Sequence, residues 1–214
     1  MTNWEKEIKK LDSIEVAPFE LSREHIKELK KACATAKRKQ KDFNFHLAGH
    51  LQEEYRLDPL PQNVSRDLLT VTNHETFNYY KSKSIYLSKD CPYYMDRMWC
   101  NYQKKYEFNP IHTHAGLFSF VIFLKIPYDL KKEDNYFVKT KANKDQDLLA
   151  SRFSFLNVHP VEAGGVRTTA IDVDKSFEGK GFMFKAKQQH MVYPFYTSDK
   201  YRITVSGNIK LYTG

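Results

Sequence analysis

Cysteine is scarce in this chain of 214 residues. The three cysteines are Cys33, Cys91 and Cys100, and no two of them form a C-x-x-C pair. Three thiols cannot all pair, so the sequence argues against a disulfide framework and favours free thiols in a reducing compartment. A zinc site made of Cys91, Cys100, His112 and His114 would have a spacing that matches none of the usual zinc-finger patterns.

Long hydrophobic runs are also missing. No stretch approaches the roughly 20 consecutive apolar residues that a membrane-spanning helix needs. The first residues, MTNWEKEIKKLDS, are charged and lack the apolar centre of a secretory signal. We therefore expect a cytoplasmic protein with no membrane partner.

Internal repeats and low-complexity linkers are absent, and the length suits one domain. Glycine and proline number only 8 each, whereas tyrosine numbers 14 and phenylalanine 15. Residues 1–90 have mainly helical patterns, and residues 91–214 have mainly strand patterns. We expect residues 1–214 to form a single domain, with 1–90 as a helical N-terminal support region for a β core over 91–214.

The net charge is positive, because Lys and Arg number 34 and Asp and Glu number 26. Such a surface attracts nucleic acids and other polyanions, and also small di-acids. Much of the excess lies in KELKKACATAKRKQK, residues 27–41. The simpler interpretation of this segment is the solvated face of a helix, and the alternative is a nucleic-acid contact.

Two helices are predicted in the first part of the chain. Ser22 is suited to cap a helix that runs to about residue 40, whose buried stripe would be Ile26, Leu29, Cys33 and Ala36. A second helix is expected over about 65–83, with buried candidates Leu68, Leu69, Val71, Phe77 and Tyr80. Between the two helices, His46 and His50 lie four residues apart, the spacing expected for one face of a helix, but the segment lacks the glutamate of a zinc-protease motif.

The second part of the chain contains many short strands rich in β-branched and aromatic residues. The predicted strands are RMWCNYQ, LFSFVIFLKIPY, NYFVKT, RFSFLNV, VRTTAIDV, GFMFKA, HMVYPFY and YRITVSGNIKLY. About eight strands after a helical half predict two packed antiparallel sheets, which is a jelly roll or double-stranded β-helix. The expected class is α+β, mostly β, with the N-terminal helices packed on one sheet.

The segment NPIHTHAG, residues 109–116, places two histidines one residue apart. If it is extended, His112 and His114 point to the same side and are able to coordinate one metal ion. His190 follows 76 residues after His114, and Arg202 lies 12 residues beyond His190. Two nearby ligands and one distant ligand suit a non-haem iron site with open positions. A buried Arg202 would need an anionic partner, and a carboxylate fits its donors.

These motifs resemble the iron(II)/2-oxoglutarate-dependent oxygenases, especially prolyl-hydroxylase-like and small phage-type members. The matching segments are WCNY, HTHAG, GFMF, HMVYP and RITVSGN, spread over about residues 95–210. The resemblance implies a dioxygenase that uses Fe(II), 2-oxoglutarate and O2, hydroxylates a substrate and releases succinate and CO2. It implies that His112 and His190 are iron ligands, and that the co-substrate is held by Arg202 with Thr204, Asn101 and Tyr102.

Position 114 departs from the family pattern, because most members have a carboxylate there. Two alternatives follow. Either the iron is held by three histidines, or His114 lies behind the ligands and water fills the third position. A neutral third ligand leaves the site one charge unit more positive than two histidines and a carboxylate would, and this could change the affinity for iron or even the metal.

Two rival functions are weighed against the oxygenase. A cupin also carries H-x-H in a β-barrel, but it usually has a glutamate shortly after the second histidine, where this chain has Phe118 and Ser119. A non-catalytic jelly-roll protein, structural or nucleic-acid-binding, would explain the strands and the charge without a metal. The primary substrate is left open among protein or peptide side chains, nucleobases and small metabolites.

Overall fold

Ten β-strands and four α-helices form the part of the chain that the computed structural model describes, which is residues 1–44, 47–71, 93–137, 149–158 and 165–211. The helices are α1 (Asn3–Glu7), α2 (Arg23–Arg38), α3 (Gln62–Val71) and α4 (Leu130–Phe137), with 3-10 turns at Ile8–Ser13 and Lys175–Phe177. The strands are β1 (Val16–Glu20), β2 (Glu54–Arg56), β3 (Tyr93–Gln103), β4 (Asn109–His112), β5 (Phe118–Lys125), β6 (Phe153–Val158), β7 (Val166–Ile171), β8 (Lys180–Lys185), β9 (His190–Val192) and β10 (Arg202–Leu211).

The strands form two antiparallel sheets. The major sheet has six strands in the order β1-β8-β5-β10-β3-β2, and the minor sheet has four in the order β4-β9-β6-β7. The chain passes repeatedly from one sheet to the other, as it does in a double-stranded β-helix. The predicted fold class, mostly β with a jelly-roll core, is confirmed.

The major sheet is buried on both faces, and each face has its own apolar core. One core lies under the helices, where Leu29 and Cys33 of α2 and Leu68 of α3 pack on strand residues such as Met98 and Ile122. The other core lies between the two sheets and is rich in phenylalanine, with Phe123, Phe153, Phe155, Phe182 and Phe184. Burial on both faces explains why β5 reads FSFVIFLK, without polar alternation. The expectation that N-terminal helices cover one sheet is confirmed.

Helix α2 follows its sequence signals closely. Ser22 accepts a hydrogen bond from the backbone N–H of His25 and so caps the first turn. Leu29, Cys33 and Ala36 are buried, while the lysines of the 27–41 segment lie mainly on the outer face. This arrangement matches the solvated-face interpretation. No helix in the described parts of the chain has the length and apolar character needed to cross a membrane.

Three local predictions need correction. The segment NYFVKT was expected to be a strand, but its first residues, 135–137, belong to helix α4. The side chain of Asp129 accepts from the backbone N–H of Lys132 and so favours this helix, and Glu133 anchors it through the N–H groups of Tyr196 and Thr197. Helix α3 begins at Gln62, not near residue 65.

The third correction concerns His50, which lies in a segment without helix (residues 47–53). Several other sequence expectations fall outside the described residues, namely those for His46, Phe77, Tyr80 and Cys91.

A cluster of charges around Glu53 ties α2 to the sheet edge. Its carboxylate accepts from Lys37 Nζ at 2.5 Å, from the Tyr201 hydroxyl at 2.6 Å and from Lys104 Nζ at 3.0 Å. Burial alone would raise the pKa of Glu53, but these donors outweigh it and lower the pKa from 4.5 to about 2. Because the folded-state pKa is depressed, the stabilisation is present above pH 4.5 and is lost as the pH falls toward 2.

We expect Glu53→Gln to lower the free energy of unfolding at pH 7 by roughly 1–3 kcal/mol, because three donors lose their charged acceptor. The difference from the parent protein should shrink as the pH approaches 2. Urea denaturation at pH 7, 4 and 3 measures both effects. Glu24→Gln, on the exposed face of α2, is the control, and an equal loss in both variants would contradict the role given to Glu53.

Candidate metal centre and co-substrate pocket

The antiparallel pairing of strands β4 and β9 sets the positions of His112 and His190. His112, the last residue of β4, is the register partner of His190, the first residue of β9. Directly opposed residues in an antiparallel pair hold their side chains close together on one face. Two residues further on, the backbone N–H of His114 donates to the Ala186 carbonyl at 2.7 Å and fixes the chain after β4.

Three imidazoles meet at this point. One ring nitrogen from each of His112, His114 and His190 lies within 4.8 Å of the other two. The Nε2 atoms of His114 and His190 are 3.1 Å apart. Two nitrogens each about 2.1 Å from one ion, at a right angle, would be about 3.0 Å apart. The His114–His190 spacing therefore suits two neighbouring positions around a metal.

Backbone carbonyls fix the tautomers of two of these rings. His112 Nδ1 lies 2.7 Å from the carbonyl oxygen of Pro110, and His190 Nδ1 lies 2.9 Å from that of Gln188. A carbonyl only accepts, so each Nδ1 carries the hydrogen and each Nε2 presents a lone pair. Metal-binding histidines show this arrangement, because the outer hydrogen bond orients the ring and raises its basicity.

The histidines sit in apolar surroundings that keep them neutral. His190 is 3% exposed and contacts the ring of Phe184, and His114 lies against the ring of Trp99. Burial lowers the pKa of all three histidines, and the proximity of His112 lowers that of His114 further, to about 3. Neutral imidazole is the form that binds a metal, so protons compete little for this site at neutral pH.

Arg202 lines the same pocket as the three histidines and is only 2% exposed. Its guanidinium donates to Gln103 Oε1, the Tyr128 hydroxyl and the carbonyls of Ser151 and Tyr193, at 2.6–3.0 Å. All these acceptors are neutral, and Arg202 forms no ion pair within the described residues. The pocket thus contains a buried positive charge that is not ion-paired within the described residues, and all five of its N–H groups donate to neutral acceptors.

Thr204 and Asn101 continue the polar wall from Arg202. Asn101 Nδ2 donates to Thr204 Oγ1 at 3.0 Å, which leaves the threonine hydroxyl hydrogen free to donate to a ligand. Both residues line a cavity of about 170 Å³ that also contains the three histidines and Arg202. The structure therefore brings together six of the seven predicted site residues.

Tyr102 is the exception and requires a correction. Successive side chains of a strand point to opposite faces, so Asn101 and Tyr102 cannot both face the cavity. The ring of Tyr102 lies on the helix-covered face, under Lys37 Nζ and beside Tyr55 and Tyr201. Cys100 likewise belongs to the core under the helices, away from the histidines, so the structure gives no support to a zinc site that includes it.

Two cavity residues were missed by the sequence analysis. Gln103 is the register partner of Arg202 and its main acceptor, and alternation along β3 from Asn101 is a signal that could have found it. Glu54 is a buried carboxyl that lines the same cavity from β2. Nothing in its sequence context marks it, because β2 has only three residues.

Comparison with known proteins identifies the family. The model of a family of 2OG-Fe(II) oxygenases matches residues 97–208, which is just over half of the chain. The protein therefore belongs to the 2-oxoglutarate/iron(II)-dependent oxygenases, as its motifs predicted. No curated protein matches the sequence.

Solved structures of low sequence identity share the fold. An oxidoreductase of the 2OG-Fe(II) oxygenase family from Burkholderia pseudomallei has a TM-score of 0.54 at 11% identity, over 98% of this chain and 91% of that one. A prolyl-4-hydroxylase from Pseudomonas putida gives 0.53 at 10%, over 96% and 97%. A prolyl hydroxylase from Trichoplax adhaerens, in complex with a hypoxia inducible factor peptide fragment, gives 0.51 at 8%, over 99% and 94%.

The family uses Fe(II), 2-oxoglutarate and O2, and the cavity fits these groups. Three neutral imidazoles with converging nitrogens suit a divalent transition metal. The buried, uncompensated charge of Arg202 suits an anion, and the Thr204 hydroxyl next to it offers a further donor. The donor set therefore matches the cofactors of the family, apart from the histidine at position 114.

Replacement of single histidines should distinguish the histidines that bind the metal from those that only lie near it. We expect His112→Ala, His114→Ala and His190→Ala each to weaken Fe(II) binding by more than the roughly 10–100-fold that loss of an outer hydrogen-bond partner costs. His114→Asp should bind at least as tightly as the parent, because the carboxylate offsets the charge of the ion. Anaerobic calorimetry measures these affinities, and His25→Ala, on α2, is the control.

The variants His114→Ala and His114→Asp decide whether the third metal ligand is His114 or water. Unchanged binding in His114→Ala would show that this ring is not a ligand and that water takes its place. Near-parent binding in His190→Ala would contradict the metal centre as a whole.

Proposed function

We propose that this oxygenase hydroxylates an aliphatic C–H bond of its substrate. 2-Oxoglutarate would be oxidised to succinate and CO2, with one oxygen atom of O2 going to succinate and the other to the product. The observation that carries the proposal is the presence of the three histidines and the uncompensated Arg202 in one buried cavity. Family membership supports it.

Each cavity residue has a defined task in this proposal. His112, His114 and His190 would hold the iron, which when bound supplies the redox chemistry with oxygen. Arg202 attracts the distal carboxylate of 2-oxoglutarate, and Thr204 donates its hydroxyl hydrogen to that group. Asn101 keeps the hydroxyl oriented through its own donor.

Part of the cavity wall is apolar. Phe153, Phe184 and Val192 line it around the histidines, so the reacting groups would lie in surroundings of low polarity. Electrostatic interactions are stronger there than in water, and side reactions with solvent are suppressed.

We further propose that the substrate is a side chain of a peptide or protein. Support comes from two of the similar structures, which are prolyl hydroxylases, one of them in complex with a peptide fragment. These two structures share the fold of this chain at 8–10% identity.

The co-substrate site is tested by anaerobic titration of the Fe(II)-loaded protein with 2-oxoglutarate. The parent protein should develop a weak visible metal-to-ligand charge-transfer band. Arg202→Ala should raise the Kd for 2-oxoglutarate more than about tenfold, which is ~1.4 kcal/mol. Thr204→Val should raise it less, because one neutral donor is lost rather than a full positive charge.

Thr168→Val, at an exposed position of β7, is the matched control and should leave the titration unchanged. Arg202 donates to several buried acceptors and Thr204 accepts from the buried Asn101, so both variants are checked by thermal melting. No band in the parent protein at saturating Fe(II), together with no succinate in air, would contradict the proposed function.

A further inference from the structure

One part of the cavity has oxygen acceptors without donors. Glu54 Oε2, Asn101 Oδ1 and Asn109 Oδ1 are buried, and each lacks a hydrogen-bond partner within the described residues. All three residues line the cavity that contains the histidines. Burying a polar atom without a partner costs free energy, so donors from a ligand or from bound water have to satisfy these three oxygens.

Glu54 dominates this group of atoms, because it is the only carboxylate among the described residues that line the cavity, and it is 1% exposed. It is the register partner of Asn101, which is in turn the partner of Thr204, so the three residues form a row across β2, β3 and β10. Glu54 is therefore separated from the strand of Arg202 by the whole width of β3. The cavity has a cationic side on β10 and an acidic side on β2.

Two further carboxylates strengthen the acidic side. The negative charges of Glu107 and Asp42 interact with the carboxyl group of Glu54. Within the described residues, none of these three acidic side chains forms an ion pair. Glu107 accepts from the backbone N–H groups of Gln52 and Lys104. Burial first, and then these two charges, raise the pKa of Glu54 to about 7. This side of the cavity therefore carries acidic groups, although Lys104 interacts with Glu107 and the whole chain carries a formal charge of +8.

These features do not suit the co-substrate. 2-Oxoglutarate is a dianion without donors, so it cannot satisfy the unpaired oxygens and would be repelled by the carboxylates. A neutral amide would satisfy the hydrogen bonds but would leave Glu54 without a counter-charge whenever its carboxyl group is ionised. A protonated amine or a guanidinium satisfies both requirements.

We propose that the primary substrate presents a cationic nitrogen group to Glu54, with Asn109 as an additional acceptor. This inference rests on the proposed function and adds the chemical class of the substrate. Lysine or arginine side chains of a protein and small alkylamines share this chemistry. Glu54 would then be a specificity-determining residue on the side of the cavity opposite Arg202.

Calorimetry under anaerobic conditions tests the inference on protein loaded with Fe(II) and 2-oxoglutarate. The probes are Nα-acetyl N-methylamides of arginine and lysine, each paired with its neutral analogue, citrulline or norleucine. Pentylammonium paired with pentanol represents a small substrate. We expect at least one cationic probe to bind about tenfold or more tightly than its neutral partner.

Glu54→Gln should abolish that preference, Glu54→Asp should retain part of it, and Glu24→Gln should leave it intact. Preference for a blocked amino acid would support a protein substrate, and preference for pentylammonium alone would support a small amine. A parent protein that shows the charge-transfer band but no preference, or a preference that persists in Glu54→Gln, would overturn the inference. Absence of the band would instead contradict the proposed function on which the inference rests.

Discussion

The strand pairing that places His112 opposite His190 is the constraint on which the site depends. It brings residues 78 positions apart in the chain onto one face of the minor sheet. The two carbonyls that accept from the Nδ1 atoms are only two residues from their histidines, at Pro110 and Gln188. A shift of either strand by one residue would turn a ring away from the cavity and break the cluster.

The major sheet supplies the complementary polar wall. Alternation along β3 and β10 points Asn101, Gln103, Arg202 and Thr204 into the cavity, while the residues between them pack under the helices. One face of the sheet thus packs under the helices, while the other contributes both to the core between the sheets and to the polar wall of the cavity. The guanidinium is held by neutral acceptors at all five N–H groups, so its charge attracts an anion, and a direct contact would require exchange of one of these hydrogen bonds.

Much of this could be predicted from the sequence. The order of the histidines and Arg202, together with strand-like runs, was enough to give the fold and the family. The error at Tyr102 came from treating neighbours on one strand as sharing a face, although the strand period forbids it. Glu54 could not be found, because its role depends on the pairing of β2 with β3, which no local pattern encodes. The strand predicted at NYFVKT failed because the capping signal of Asp129 was overlooked.

The most direct test of the central claim is anomalous diffraction from crystals grown anaerobically with Fe(II) and 2-oxoglutarate. The account predicts one iron peak about 2.1 Å from the Nε2 atoms of His112, His114 and His190. It also predicts a dicarboxylate whose far end contacts Thr204 and Arg202. An iron peak elsewhere, or a co-substrate whose distal carboxylate avoids the guanidinium, would contradict it.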